Sequence, residues 1–147
     1  MNRSRLPREP RALVDLTASA AAAWYARLFT QGRHGQAPPK EFARSFSARG
    51  KEWVVASIPL DRLDYQTREE SGNTRIRLAK DYAKIGGEFP PGVGSYRDRS
   101  QRRVTCRIYL QDGNHRALAA EFRGDHAIRV LMPAREFLAF LRQCRGR

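Results

Sequence analysis

Apolar and polar positions along the chain repeat with the period of a strand in some stretches and with that of a helix in others. Strand patterns cover residues 53–58, 93–96, 104–110 and 126–132. Helical patterns cover residues 11–30, 74–84, 114–123 and 133–144. From residue 51 the predicted order is β-α-β-β-α-β-α, with the second and third strands forming a hairpin. We therefore expect a small α/β (α+β) domain with a mixed sheet and an extra N-terminal helix.

Turn and capping residues mark the ends of these elements. Asn73 is a candidate N-cap, and Gly86 and Gly87 would close the helix that it begins. Gly124 would end the next helix, and Pro133 suits the first position of the last one. We expect residues 1–50 to hold a basic arm, the N-terminal helix and a linker, and residues 51–147 to form the main domain.

The charge indicates an acidic partner. The chain carries a net charge of +13 and has an isoelectric point near 10.9. Nucleic acid is the first candidate and an anionic membrane surface the second, although a solvated basic surface explains the charge equally well. The densest positive cluster is a candidate nucleic-acid-binding turn, formed by Arg97, Arg99, Arg102 and Arg103.

The two cysteines, Cys106 and Cys144, fall on apolar faces, and we expect buried free thiols. No Cys or His spacing is typical of a metal site. The first residues resemble a signal peptide, but Asp15 interrupts the apolar stretch. These features together favour the cytoplasm.

The stretch "DGNHR" at residues 112–116, which we call the corner, is the strongest candidate for a site with a chemical function. A strand that turns directly into a helix leaves free N–H groups at the helix start, where the helix dipole favours an anion. Gly113 would let the backbone approach a ligand, and Asp112 or Asn114 could cap the helix. His115 and Arg116 could donate to phosphate oxygens. The alternative is a capped turn in which His115 simply packs.

"DGNHRALAAEFRGDHAIRVLMP" resembles the signature of the ParB/sulfiredoxin-like superfamily. Gly113, Arg116 and Ala119 fit its Gly-x-x-Arg-x-x-Ala pattern. Upstream, "VVASIPLDRLDYQTR" resembles the opening strand and its continuation, with Gln66 and Arg68 in the matching places, and "IRLAKDYAKIGG" resembles the next helix. The resemblance covers roughly residues 52–133.

The resemblance implies a nucleotide-binding fold with its phosphate site at this helix start. It assigns phosphate contacts to Gly113, His115 and Arg116, and more weakly to Arg68. Members of the superfamily include nucleotide-switching DNA clamps, sulfinic-acid reductases, a free-serine kinase and proteins described as nucleases. The cofactor is left open, and a nucleotide with Mg²⁺ is the candidate that the resemblance favours.

Differences between this chain and the superfamily signature argue against some of the activities found in the superfamily. Asn114 stands where the reductases have a Cys, which argues against their thiol chemistry. The chain ends one helix after the motif, at Arg147, which argues against a full DNA clamp. Kinase or nuclease chemistry needs a placed carboxylate, and spacing alone selects none of the candidates. Those candidates are Asp61, Asp64, Glu69, Glu70 and Asp112.

Three hypotheses follow. The first is a ParB-like domain that binds nucleotide or nucleic-acid phosphate at the corner, with or without phosphoryl-transfer or nuclease chemistry. The second is a non-catalytic DNA- or RNA-binding protein, and the third an inert interaction module that keeps only the fold. Under the first, we expect His115 near the surface in the first helical turn. We also expect Arg116 to be exposed, so that its replacement by Ala leaves the stability nearly unchanged.

Overall fold

The computed structural model describes residues 15–31, 46, 48–84, 89–96 and 106–144. Several predictions lie outside these ranges. They concern the basic arm, the linker at residues 32–40, the glycine pair Gly86 and Gly87, and the turn with Arg97, Arg99, Arg102 and Arg103.

Six strands form one mixed sheet in the described part of the chain. They are β1 (Asp15–Thr17), β2 (Glu52–Pro59), β3 (Leu63–Asp64), β4 (Gly92–Ser95), β5 (Ile108–Asp112) and β6 (Ala127–Pro133). Their order across the sheet is β1-β2-β6-β4-β5-β3. The pairs β6–β4 and β5–β3 are parallel and the other three are antiparallel. The fold is a small α/β (α+β) domain, as predicted.

In the part of the chain that the structure describes, four α-helices of ten or more residues accompany the sheet. They are α1 (Ala18–Gln31), α2 (Asn73–Ala83), α3 (Asn114–Arg123) and α4 (Ala134–Cys144). The predicted N-terminal helix is present, but it begins at Ala18 rather than near residue 11. The residues just before it pair with β2, where Thr17 lies opposite Glu52, and the Thr17 hydroxyl accepts the Ala20 N–H at 3.2 Å. Sheet pairing therefore overrides helical spacing up to that point.

Both faces of the sheet are covered, and β2 shows how. Trp53 and Val55 pack with Tyr25 of α1 on one face. Val54, Ala56 and Ile58 pack on the other face, in the same cluster as residues of α3 and α4. Because both faces are buried, this strand reads as a nearly continuous apolar run rather than a strict alternation.

Three element ends differ from the prediction. Asn73 is the first residue of α2 rather than its N-cap, since Gly72 occupies that position without a side-chain bond. Pro133 is the last residue of β6, and α4 begins after it. Strand β5 begins only at Ile108, because Cys106 has a φ of +52° and leaves the extended conformation. The predicted stop at Gly124 is confirmed, with a φ of +81°.

Cys106 and Cys144 are both buried, as predicted, but they form a disulfide, so the prediction of free thiols is wrong. The bond joins the residues just before β5 to the end of α4. The argument for a reducing compartment rested on unpaired cysteines and loses that support. None of the helices that the structure describes combines the length and apolar character needed to cross a membrane.

Candidate functional site

The turn from β5 into α3 is shaped by Gly113. Its φ is +109°, which favours glycine. A Cβ at this position would lie 2.9 Å from the Cα of Gly92 on the neighbouring strand. Backbone conformation and close strand packing therefore both require glycine here, and the turn holds the start of α3 against the sheet.

The first turn of α3 begins directly after Gly113 and carries His115. The Ala117 N–H donates to the Gly113 carbonyl at 2.9 Å, so the amides of residues 114–116 have no carbonyl four residues back within the helix. Asn114 does not cap these amides; its Oδ1 accepts the Gln66 N–H at 3.2 Å. His115 is exposed in the first turn, which confirms the prediction for that residue.

Arg116 is buried, and the prediction that its side chain is exposed is wrong. Only 5% of the residue is accessible. Its Nη1 donates to the Pro91 carbonyl at 3.1 Å, and its Nη2 donates to Asp112 Oδ2 at 2.9 Å and to the Tyr25 hydroxyl at 3.2 Å. The guanidinium is thus committed to partners inside the protein.

Tyr25 of α1 completes this arrangement. It is fully buried, and its hydroxyl donates to the same Asp112 Oδ2 that Arg116 contacts. Burial raises the pKa of Tyr25, and the charge of Arg116 only partly opposes this, so the hydroxyl stays protonated as a donor. Tyr25, Asp112 and Arg116 form a closed hydrogen-bonded set, which we call the corner triad.

A pocket of about 490 Å³, which we call the corner pocket, opens between α2 and the start of α3. It is lined by Arg75, Leu78, Tyr82, Gln111, Asp112, Gly113, Asn114, His115 and Arg116. The structure therefore brings the whole predicted corner to one cavity. Arg68 is absent from the lining; it is exposed, lying 5.8 Å from the centre of the Phe122 ring and 3.8 Å from Glu69.

The sequence interpretation missed the contribution of α2 to this pocket. Arg75, Leu78 and Tyr82 follow one another at spacings of three and four residues, so they share one face of the helix. That spacing was visible in the sequence. What was not visible is that this face of α2 borders the start of α3.

Positive charge dominates the pocket around His115. Partial burial lowers the pKa of His115, and the nearby charges of Arg75 and Arg116 lower it further, while Asp112 acts in the opposite direction. For Arg116, burial acts to lower the pKa, but Tyr25 and Asp112 outweigh it and raise the value. His115 is therefore neutral at neutral pH and Arg116 remains charged.

Asp112 is the only one of the five candidate carboxylates among the residues that line the pocket. The other four, which are exposed, are Asp61, Asp64, Glu69 and Glu70. Within the ranges that the structure describes, no three His, Cys, Asp or Glu side chains cluster as metal ligands. A carboxylate that could act on a ligand in this pocket is thus Asp112.

The described residues that flank the arginine-rich segment lie at the other end of the sheet. Strand β4 runs from Gly92, which neighbours Gly113, to Ser95, and β5 returns antiparallel to it. Tyr96 and Cys106, the described residues on either side of that segment, therefore lie at the end opposite the corner. A second pocket of about 580 Å³ lies at this opposite end, with Arg49, Arg135 and Glu136 in its lining.

Comparison with known proteins adds no assignment: no family model, curated protein or solved structure matches the chain.

Proposed function

We propose that this protein binds a phosphate-bearing ligand, a nucleotide or a nucleic-acid phosphate, in the pocket between α2 and the start of α3. The observation that carries the proposal is the convergence of Arg75, His115 and the first turn of α3 on one cavity. An arginine, an imidazole and a helix N-terminus all favour an anion, and together they specify where it lies.

Each group has a distinct role in the proposed site. Arg75 forms no ion pair with any residue that the structure describes, so its guanidinium can take two phosphate oxygens. His115 donates a hydrogen bond and gains charge as the pH falls. Arg116 supports the turn from inside through the corner triad instead of contacting the ligand directly. The proposed site does not require Arg68.

The element order around the corner supports membership of the ParB/sulfiredoxin-like superfamily. A strand ends at Asp112, an alanine-rich helix follows, Gly124 stops it, and a short apolar strand comes next, as the motif implies. Membership remains our proposal and rests on the motif and this order. Phosphoryl-transfer or nuclease chemistry would rest on Asp112, with a nucleotide and Mg²⁺ as the candidate cofactor.

A second candidate function is sequence-independent binding of DNA or RNA. The net charge of +13 favours it, since phosphate neutralisation supplies most of the affinity in such complexes. In that case the corner pocket would hold one backbone phosphate. A nucleotide or nucleic-acid partner is consistent with a cytoplasmic location, whereas the disulfide is typical of an oxidising compartment.

A thermal-shift screen separates these functions. The protein is melted with nucleoside mono-, di- and triphosphates, each with and without Mg²⁺, and with heparin as a generic polyanion. A shift with particular nucleotides supports the pocket, because a ligand at 100 times its Kd stabilises the native state by about 2.7 kcal/mol. A shift with heparin alone supports the nucleic-acid function.

The matched variant for the screen is Arg75→Ala combined with His115→Ala. Both side chains line the pocket, and neither makes a hydrogen bond to another described residue, so the melting temperature of the free protein should barely change. If this double variant responds to nucleotides as strongly as the parent does, the pocket is not the binding site.

A further inference from the structure

We propose that Tyr25 is a positioning residue of the corner pocket, so that docking of the N-terminal helix and anion binding stabilise one another. The inference rests on the proposed function of the pocket. It adds a part of the chain, α1, that neither the motif at residues 112–116 nor the resemblance includes.

The contacts of Tyr25 place it directly behind the pocket. Its hydroxyl donates to Asp112 Oδ2 and accepts from Arg116 Nη2 at 3.2 Å. Asp112 and Arg116 both line the pocket, whereas Tyr25 is fully buried and does not. Tyr25 therefore reaches a bound anion through these two side chains rather than by direct contact.

Asp112 is the residue through which this effect would reach an anion. Its side chain is 43% exposed, and it places a carboxylate in a pocket that we propose holds phosphate. One oxygen, Oδ2, receives both Tyr25 and Arg116, and these two donors fix the carboxylate and offset its charge. Without the Tyr25 hydroxyl, the carboxylate is held by Arg116 alone and its repulsion of an anion increases.

A purely structural role for Tyr25 predicts something different. The ring packs against the sheet with Trp53 and Leu131, and its centre lies 6.0 Å from that of Phe46. If its contribution is purely structural, removing the hydroxyl will leave the affinity unchanged, whatever its effect on stability. If Tyr25 positions the site, affinity will fall although the ring is retained.

The experiment compares Tyr25→Phe with Tyr65→Phe by calorimetric titration with inorganic pyrophosphate. Tyr65 is a matched control, because its hydroxyl also donates to a carboxylate, Glu121 at 2.9 Å, and neither of the two lines the pocket. We expect Tyr25→Phe to weaken pyrophosphate binding about three- to tenfold, the effect of one lost hydrogen bond. Tyr65→Phe should leave the affinity unchanged.

Hydrogen exchange tests the coupling in the unaltered protein. Binding energies are reciprocal, so pyrophosphate should slow amide exchange in residues 18–27 of α1 in the parent and much less in Tyr25→Phe. No slowing in the parent would overturn the inference even if the variant does not fold.

Failure of the proposed function and failure of the inference about Tyr25 give different results. If the parent does not bind pyrophosphate, the proposed function is wrong and this inference falls with it. If the parent binds and Tyr25→Phe binds equally well, the pocket stands and Tyr25 has only a structural role.

Discussion

The guanidinium of Arg116 donates to three internal partners, and removing it would take one donor each from the Pro91 carbonyl, the Tyr25 hydroxyl and the Asp112 carboxylate. Breaking a buried ion pair from one side typically costs about 3–5 kcal/mol. Since Asp112 is partly exposed to water, we expect the lower end of that range for Arg116→Ala, about 3 kcal/mol. Urea unfolding followed by circular dichroism measures it.

The matched control for Arg116→Ala is Arg77→Ala on α2, where the side chain is exposed. That change should stay within about half a kcal/mol of the parent. Equal stability of the two variants would show that the corner triad does not stabilise the fold.

His115 makes anion binding depend on pH. Its pKa in the free protein is lowered by partial burial and by Arg75 and Arg116, and a bound anion would raise it. The complex then binds more protons than the free protein, so affinity rises as the pH falls through the pKa of the complex towards that of the free protein. Sulfate is the probe, because its charge is constant between about pH 5 and pH 8, and calorimetry at several pH values measures its Kd.

His115→Gln is the control for this pH dependence. It retains a hydrogen-bond donor but cannot gain charge, so sulfate affinity should become nearly independent of pH over the same range. A pH profile that is the same in parent and variant would remove His115 from the anion site.

At the scale of elements, the strand-to-helix turn depends on Gly113. An Ala there would adopt an unfavourable positive φ, and its Cβ would also overlap Gly92. Gly124 is the matched control, because its φ is +81° but a Cβ there would meet nothing within 4 Å. We expect Gly124→Ala to cost about 1 kcal/mol and Gly113→Ala at least about 2 kcal/mol, since overlap adds to backbone strain. Thermal unfolding of both variants measures the difference.

Elements with a strong local period could be predicted from the sequence. Strands β2 and β6 and helix α3 are predictable because their signals lie within short stretches of sequence. These signals are apolar runs or alternation for the strands and a terminal glycine for the helix. Strand β1 was missed because Leu16 continues the helical spacing of the residues after it, and only pairing with β2 makes that segment extended. Strand β3 has two residues, too few for a period.

The candidate site could be predicted only in part, for a similar reason. The corner is contiguous in sequence, so its position and the exposure of His115 followed from local rules. The burial of Arg116 depends on Tyr25, which lies 91 residues away. The disulfide likewise joins residues 38 apart. Local patterns do not encode which distant side chains a fold brings together.

At the scale of the whole molecule, the disulfide ties the two ends of the segment from β5 to α4. Closing a loop of about this length lowers the entropy of the unfolded chain, which stabilises the fold by about 4 kcal/mol in the loop-entropy model. We therefore expect dithiothreitol to lower the free energy of unfolding by up to that amount, measured by urea titration.

The control for this prediction is the double variant Cys106→Ser, Cys144→Ser. It should be less stable than the oxidised parent and should not respond to dithiothreitol. If the parent also shows no response, the disulfide contributes nothing to stability.

Because the corner pocket and the residues that flank the arginine-rich segment, Tyr96 and Cys106, lie at opposite ends of the sheet, the contributions of the two regions to binding should be separable. Replacing Arg99, Arg102 and Arg103 together by Ala should weaken DNA binding for all sequences alike. It should also flatten the salt dependence by about one log-log unit for each DNA phosphate that the variant no longer neutralises. Sulfate affinity at the pocket should not change.

Arg75→Ala should have the opposite effects. It should abolish most sulfate binding while removing at most about one unit from the DNA salt slope. Fluorescence anisotropy with two unrelated duplexes at several salt concentrations measures the slopes. An unchanged slope in the triple variant would exclude the turn from the DNA interface, and a parallel loss of sulfate binding would show that the two ends do not act separately.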